Sequence, residues 1–129
     1  APKQPKKPTN RKGIWYNRDV MNEQKQIEII KKHSSPTLWE EVRDHSQMSI
    51  DEEWEQPYTI PQSFDWILDL AESEPNWRSL KTPARKVAIA LGIYVPMTQE
   101  EIEMTITTRG TVWDFKLGGV AYQFSRHLV

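Results

Sequence analysis

Three residues near the C-terminus have side chains suited to binding a metal ion and stabilising negative charge: Glu103, Asp114 and Lys116. Two carboxylates brought together concentrate negative charge that a divalent cation relieves, and a nearby lysine can stabilise charge that develops in a reaction. These side chains meet only if the segments that carry them are neighbouring strands of one sheet. The secondary structure of residues 102–126 therefore decides whether this chemistry is available.

Residues 102–126 are predicted to form a three-stranded antiparallel β-meander. From Ile102 to Thr107 apolar and polar residues alternate, which is the period-2 pattern of a half-buried strand. Two-residue turns are indicated at Arg109-Gly110 and at Gly118-Gly119, because glycine adopts the positive φ that such turns need.

The two turns predict one consistent register. It places the following residues opposite each other: Ile106 and Trp113, Met104 and Phe115, Ile102 and Leu117, Leu117 and Val120, Phe115 and Tyr122, Trp113 and Phe124. All the large apolar side chains then lie on one face, and a slip of one residue would distribute them over both faces. On the polar face, Glu103 is expected opposite Lys116, beside Asp114.

An acid on one strand and Asp-x-Lys on the next resembles the site of metal-dependent nucleases of the PD-(D/E)xK type. The resemblance rests on Glu103, Asp114 and Lys116, and it implies two carboxylates on a divalent ion with a lysine that stabilises charge. The sequence departs from the family pattern, because it lacks the preceding Pro-Asp and the acid of the flanking helix. A cross-strand Glu–Lys pair is commoner on an exposed sheet face. We therefore predict no catalytic site, no metal and no cofactor, with the nuclease as an alternative.

The same segment also carries signals for a helix. Thr98, with Glu101 three residues later, resembles a capping box, and Gly110 could end the helix. The β-branched run 106–108 and the agreement of the two turns favour the strand. We therefore expect Thr98 to cap no more than a single turn.

A helix at 98–109, followed by a hairpin, would produce a winged helix-turn-helix. The run of Ala88, Leu91, Gly92 and Ile93 matches the alanine and glycine positions of many helix-turn-helix segments. Small residues and a terminal glycine also suit any tightly packed helix. A winged-helix DNA-binding protein is therefore a second alternative.

Four helices are expected before the meander, which predicts an α+β fold for a single globular domain of residues 14–129. The predicted ranges are about 20–33, about 35–46, about 61–73 and about 82–92. Ser35-Pro36 is a good start signal, because serine caps a helix and proline fits its first turn. His45 is expected to be a partly buried packing residue rather than a catalyst.

Charge is strongly segregated, although the net charge of the 129 residues is −1. Residues 1–39 carry nine Lys/Arg and three Asp/Glu, residues 40–74 carry one Arg and eleven acids, and residues 75–129 carry seven bases and four acids. Such segregation more often marks a partner surface than a requirement of the fold. The absence of cysteine excludes a disulfide framework and a thiolate metal site.

Residues 1–13 are predicted to form a disordered basic arm, because they contain five bases and three prolines but no acid. Such an arm suits nucleic acid or an anionic membrane surface. The candidate binding residues are Lys3, Lys6, Lys7, Arg11, Lys12 and Trp15. The run Ile14-Trp15-Tyr16 is expected to anchor the chain to the domain, and stacking of Trp15 on bases is the alternative.

Residues 47–60 are predicted to form an acidic loop around a tryptophan. The third tryptophan of the 40–74 region, Trp66, falls off the apolar stripe of its helix together with Leu70. The candidate protein-docking residues are Asp51, Glu52, Glu53, Trp54 and Trp66. We predict that a basic or apolar protein partner docks on residues 40–74, and oligomerisation is left open.

These features predict a non-enzymatic binding protein that tethers nucleic acid, or an anionic membrane, to a second protein. By analogy, small viral or phage structural and accessory proteins are often built this way. An intracellular protein of the cytoplasm or nucleus is expected, neither secreted nor transmembrane. No apolar run approaches the ~20 residues that cross a bilayer, and the basic N-terminus lacks the apolar core of a signal peptide.

Overall fold

A series of helices precedes a small antiparallel sheet in the computed structural model, which describes residues 21–109 and 113–125. The elements are α1 (Glu23–His33), α2 (Pro36–Asp51), α3 (Ile60–Ser73), a 3₁₀ helix (Pro75–Leu80), α4 (Lys81–Ala90), β1 (Tyr94–Pro96), α5 (Gln99–Arg109), β2 (Phe115–Leu117) and β3 (Val120–Phe124). The predicted α+β class, with N-terminal helices and a C-terminal three-stranded antiparallel sheet, is confirmed. Within the described ranges, no helix has the length and apolar character needed to cross a membrane.

Local signals start the first three helices. Asn22 caps α1 by accepting a hydrogen bond from the Lys25 amide, and Ser35 caps α2 in the same way through Leu38, with Pro36 in the first turn. Thr59 and Gln62 form a reciprocal capping box at α3. Side-chain acceptors are favoured here because the first amides of a helix have no partner within it.

The helices enclose the apolar core. The α3 face of Phe64, Ile67, Leu68 and Ala71 is buried, as predicted, and packs against Ala84, Val87 and Ala88 of α4 and Ile30 of α1, among others. The end of α4 turns at Gly92, whose φ of 82° is accessible to glycine without strain. The chain then enters β1, which lies against the same core.

The hairpin at the C-terminus matches the predicted register. Phe115 pairs with Tyr122 and Leu117 with Val120, around Gly118 and Gly119 at φ values of 59° and 82°. Neither amino acid at a two-residue turn of this kind can carry a side chain without strain, which explains the Gly-Gly pair.

The predicted strand over 102–108 is wrong. Residues Gln99–Arg109 form the helix α5, and the third strand of the sheet is β1, which pairs with β3 so that Tyr94 lies opposite Phe124. The helix begins with a complete capping box, since the Glu101 amide donates to Thr98 Oγ1 at 3.1 Å and the Thr98 amide donates to Glu101 Oε1 at 2.8 Å. Because a helix satisfies its backbone hydrogen bonds locally, this segment needs no neighbouring strand.

The arrangement also differs from a winged helix-turn-helix. The run 88–93 leads from α4 into β1 rather than into a second helix. Only α5 lies between β1 and the hairpin, whereas a helix-turn-helix consists of two consecutive helices. The predicted interpretation of Ala88, Leu91 and Gly92 as a helix-turn-helix segment is therefore wrong.

Candidate functional site

The structure separates the residues of the predicted metal site. Glu103 is exposed on α5, where its Oε2 accepts a hydrogen bond from Gln99 Nε2 at 3.1 Å. Asp114 precedes β2, and its Oδ2 accepts a hydrogen bond from the Phe124 amide at 2.6 Å. The predicted placement of Glu103 opposite Lys116 is therefore wrong. In residues 21–109 and 113–125, no group of three His, Cys, Asp or Glu side chains is placed to bind a metal ion.

Lys116 has a different partner. Its Nζ lies 4.9 Å from the centroid of the Trp113 ring, a distance typical of a cation–π contact. Trp113 is half-buried beside the hairpin rather than paired with Phe124, whose partner in the sheet is Tyr94. The polar face of the hairpin is accordingly organised by an ion–ring contact.

The candidate residues of the basic arm, Lys3, Lys6, Lys7, Arg11, Lys12 and Trp15, lie outside the described residues. The candidate protein-docking residues lie within them. Asp51, Glu52 and Glu53 are exposed, Trp66 is half-buried, and Trp54 is only 5% exposed.

The predicted acidic loop 47–60 begins later than expected, because α2 continues to Asp51. The helix ends with Glu53 at a φ of 54°, the left-handed conformation typical of a helix C-terminus. The Trp54 amide then donates to Ser49 O at 3.0 Å, which directs Trp54 back onto α2. The prediction of a solvated loop is wrong for 47–51 and for Trp54.

Two buried serines of α2 hold the rest of this loop against the helix. Ser46 Oγ donates to the Tyr58 carbonyl at 2.7 Å, and the Tyr58 amide donates to Ser49 Oγ at 2.8 Å. Both Tyr58 and Trp54 are buried as a result. The loop therefore adds two aromatic rings to the contact between α2 and α3.

These rings surround His45. Its imidazole packs edge-on against Trp54 and Tyr58, at centroid distances of 5.4 Å and 5.0 Å, and stacks on Trp66 at 5.8 Å. The prediction that His45 is a packing residue is confirmed, since its side chain is almost fully buried.

The buried position of His45 determines its protonation state. Its Nδ1 lies 2.9 Å from Ser63 Oγ, and its Nε2 has no hydrogen-bond partner among the described residues. Burial lowers the pKa of His45 from 6.5 to about 4, because the charged imidazolium loses its hydration. The ring is therefore neutral at physiological pH.

The aromatic residues line one side of a groove of about 490 Å³ between α2, α3 and the 3₁₀ helix. Trp54 and Ile67 are buried at its base, and Trp66, Leu70 and Trp77 are half-buried in its walls. Met48 is 40% exposed and lies at the mouth. An apolar groove of this size can hold several side chains of a bound segment.

The charged residues that line this groove are all acidic: Glu41, Asp44 and Glu52. Glu52 is oriented by a hydrogen bond of 3.2 Å from Trp54 Nε1 to its Oε1. The faces of aromatic rings carry partial negative charge, so rings and carboxylates together favour a cationic group. The neutral imidazole of His45 adds no opposing positive charge.

A second cavity of about 500 Å³ lies between the C-terminal part of α3, α4 and the sheet. Arg85 donates two hydrogen bonds to the Glu72 carboxylate, at 2.7 Å and 2.8 Å, and its guanidinium lies 4.2 Å from the centroid of the Phe115 ring. Because this fork is already paired and stacked, we assign Arg85 a structural role that joins the helices to the sheet.

Sequence reasoning missed Glu41, Asp44, Met48 and Trp77 as parts of one surface. The signal that could have found it was the position of Trp66 and Leu70, four residues apart and off the apolar stripe of α3. Comparison of the chain with profiles of known protein families, with curated proteins and with solved structures found no match.

Proposed function

We propose that this chain is a non-enzymatic interaction protein that binds a basic, partly apolar segment of a partner protein in the groove between α2 and α3. The observation that supports this function is the combination of half-buried aromatic walls with carboxylates as the only charged lining groups. Apolar surface rimmed by polar residues is typical of protein interaction sites.

The groove suits a segment with two kinds of side chain. Apolar side chains would displace water from Trp66, Leu70 and Trp77, and this burial supplies the affinity. Basic side chains would lie near Glu41 and Asp44 at the mouth, where charge complementarity favours the encounter and selects the partner. The net charge of −10 over residues 40–74 extends this field beyond the groove.

The second part of the proposal concerns the basic arm, residues 1–13, which would bind nucleic acid or an anionic membrane in an intracellular protein. The five bases of the arm support this, because phosphate contacts need no defined structure in the protein. For nucleic acid, log K should fall with log salt with a slope of roughly −3 to −5, since each base displaces close to one counterion. Binding to anionic vesicles but not to nucleic acid would assign the arm to membranes.

A peptide titration followed by NMR tests the groove. Two synthetic amphipathic peptides would share one apolar pattern, with lysine and arginine at the polar positions of the first and glutamate at those of the second. We expect the basic peptide to shift the indole N–H signals of Trp66 and Trp77, and the acidic peptide to leave them unchanged. Equal binding of both peptides would contradict the proposed charge selection.

Substitutions at the mouth of the groove provide the matched control. Asp44→Lys reverses a charge that lines the groove, and Met48→Asp places a charge beside its apolar wall. Both residues are exposed, so the fold should tolerate either change. We expect each to weaken the basic peptide about tenfold, which corresponds to about 1.4 kcal/mol. Glu28→Lys changes the charge equally at an exposed position of α1 and should have little effect.

The alternatives have outcomes of their own. Strong preference for one duplex sequence that survives removal of the arm charges would favour a winged-helix type of DNA binding. Cleavage of DNA or RNA that needs Mg²⁺ and is lost in Lys116→Ala would favour a nuclease.

A further inference from the structure

The sequence contains a segment whose chemistry complements the groove. Residues 11–18 read RKGIWYNR, in which Ile14, Trp15 and Tyr16 are flanked by three bases. The lining of the groove has the opposite composition, with apolar and aromatic walls and three carboxylates. A run of large apolar side chains between bases is the kind of segment that this groove is proposed to bind.

The segment is also close enough in the chain to reach the groove. Six residues separate Trp15 from Met21, the first described residue, and an extended chain of this length spans about 20 Å. A domain of roughly 105 residues has a radius of gyration of about 13 Å, so its surfaces lie within comparable distances.

Contacts of α1 shorten the path further. Lys31 of α1 lies 6.0 Å from the ring centroid of Trp39 on α2, which places α1 beside the N-terminal part of α2. Glu41, the first lining residue of the groove, follows Trp39 by only two positions. The chain that leads into α1 therefore starts near the helix that carries the acidic mouth.

We infer that residues 11–18 occupy the groove of their own chain, with Trp15 against the aromatic walls and Arg11, Lys12 and Arg18 near the carboxylates. This inference rests on the proposed function, because it assigns a regulator to the same groove. Docking in cis would make the segment a competitor of the external partner. A ligand that binds the basic arm would then release the segment and free the groove for the partner.

Effective concentration sets the size of the expected effect. A segment joined by a short linker is presented at about 1 mM, so a segment with a Kd of about 0.1 mM would fill the groove roughly ten times out of eleven. An external peptide then binds about tenfold more weakly than it would to an empty groove.

The test uses the full chain and the basic amphipathic peptide described above. We expect Trp15→Ala, and separately Arg11→Glu with Lys12→Glu, to strengthen peptide binding about tenfold. Both variants should also shift the indole N–H signals of Trp66 and Trp77 before any peptide is added. Lys6→Glu with Lys7→Glu makes the same charge change outside the segment and should alter the affinity less than twofold.

The outcomes separate the two proposals. If the peptide binds the wild-type chain and the Trp15 variant equally, and Asp44→Lys weakens both, the groove is a docking site and the occupant inferred here is wrong. If the peptide binds none of these proteins, the proposed function itself fails. Indole signals that depend on protein concentration in the free chain would assign the segment to a neighbouring copy and contradict docking in cis.

Discussion

The imidazole of His45 stacks on the indole of Trp66, with ring centroids 5.8 Å apart and planes inclined by 20°. This contact joins α2 to α3 at the base of the groove, so the shape of the groove depends on an uncharged histidine. Because burial lowers the pKa of His45 to about 4, the contact is maintained at neutral pH and opposed by protonation in acid.

The first prediction concerns pH. The folded-state pKa of His45 lies below its value of 6.5 in the unfolded chain, so the unfolded state binds more protons between these values. The free energy of unfolding should therefore decrease as pH falls from about 6.5 to about 4, by about 3 kcal/mol in total from this residue.

Urea denaturation across that pH range measures the effect. His45→Gln should lose most of the slope contributed by the histidine, whereas His33→Gln, at an exposed position of α1, should retain it. An unchanged slope in His45→Gln would show that the histidine is protonated without cost in the folded protein.

The second prediction concerns the forked ion pair of Arg85 and Glu72. Two short hydrogen bonds to side chains that are only 20% and 26% exposed should give a coupling energy of about 1–2 kcal/mol in a double-mutant cycle. Arg43 and Asp44 form the matched control, because their contact is 3.6 Å long and both side chains are more than half exposed. Their coupling should stay within about 0.5 kcal/mol. Equal couplings would contradict the structural role assigned to Arg85.

The third prediction concerns the cap of α5. Thr98→Ala removes an acceptor of the capping box and should cost about 1 kcal/mol. Because Met104 and Ile106 of α5 are 66% and 48% exposed, this helix contributes little to the core, and the loss should be local. Hydrogen exchange of α5 amides should then accelerate about fivefold with little change in Tm.

Ser35→Ala is the comparison for the cap. It removes the same type of hydrogen bond from α2, whose face is buried in the core, and should lower the global free energy of unfolding by about 1 kcal/mol. A similar loss of global stability in Thr98→Ala would show that α5 unfolds together with the rest of the domain.

The fourth prediction compares two aromatic residues of the hairpin. Phe115 is 7% exposed and packs against Tyr94 and Tyr122, so Phe115→Ala should cost about 3–5 kcal/mol. Trp113 is half-buried with Lys116 over its ring, and Trp113→Ala should cost only about 1–2 kcal/mol. Chemical denaturation orders the two, and a larger loss in Trp113→Ala would restore Trp113 as the centre of the sheet.

Segment 98–109 shows where sequence reasoning reached its limit. The alternation from Ile102 to Ile106 indicates a strand, whereas the Thr98 and Glu101 pair indicates a helix. Both signals are local and of similar strength. The choice depended on the sheet, in which Tyr94–Pro96 takes the place beside β3 and leaves 102–108 without a role as the third strand.

Local chemistry, by contrast, determined the features that the sequence alone predicted correctly. Ser35 with Pro36 marks the start of α2, and the glycine pair at 118–119 defines the hairpin register, because each signal acts between residues that are neighbours in the chain. The basic and acidic regions are likewise a property of composition, whatever the fold.

Only the tertiary structure decided which side chains form the groove. Met48 and Trp77 come from different helices, 29 positions apart in the numbering, and no periodicity relates them. Trp54 reads as an exposed residue among acids, yet the left-handed residue before it and the hydrogen bond to Ser49 direct it into the interior. Contacts between residues distant in sequence follow from how helices pack, and packing depends on the whole set of side chains rather than on any one stretch.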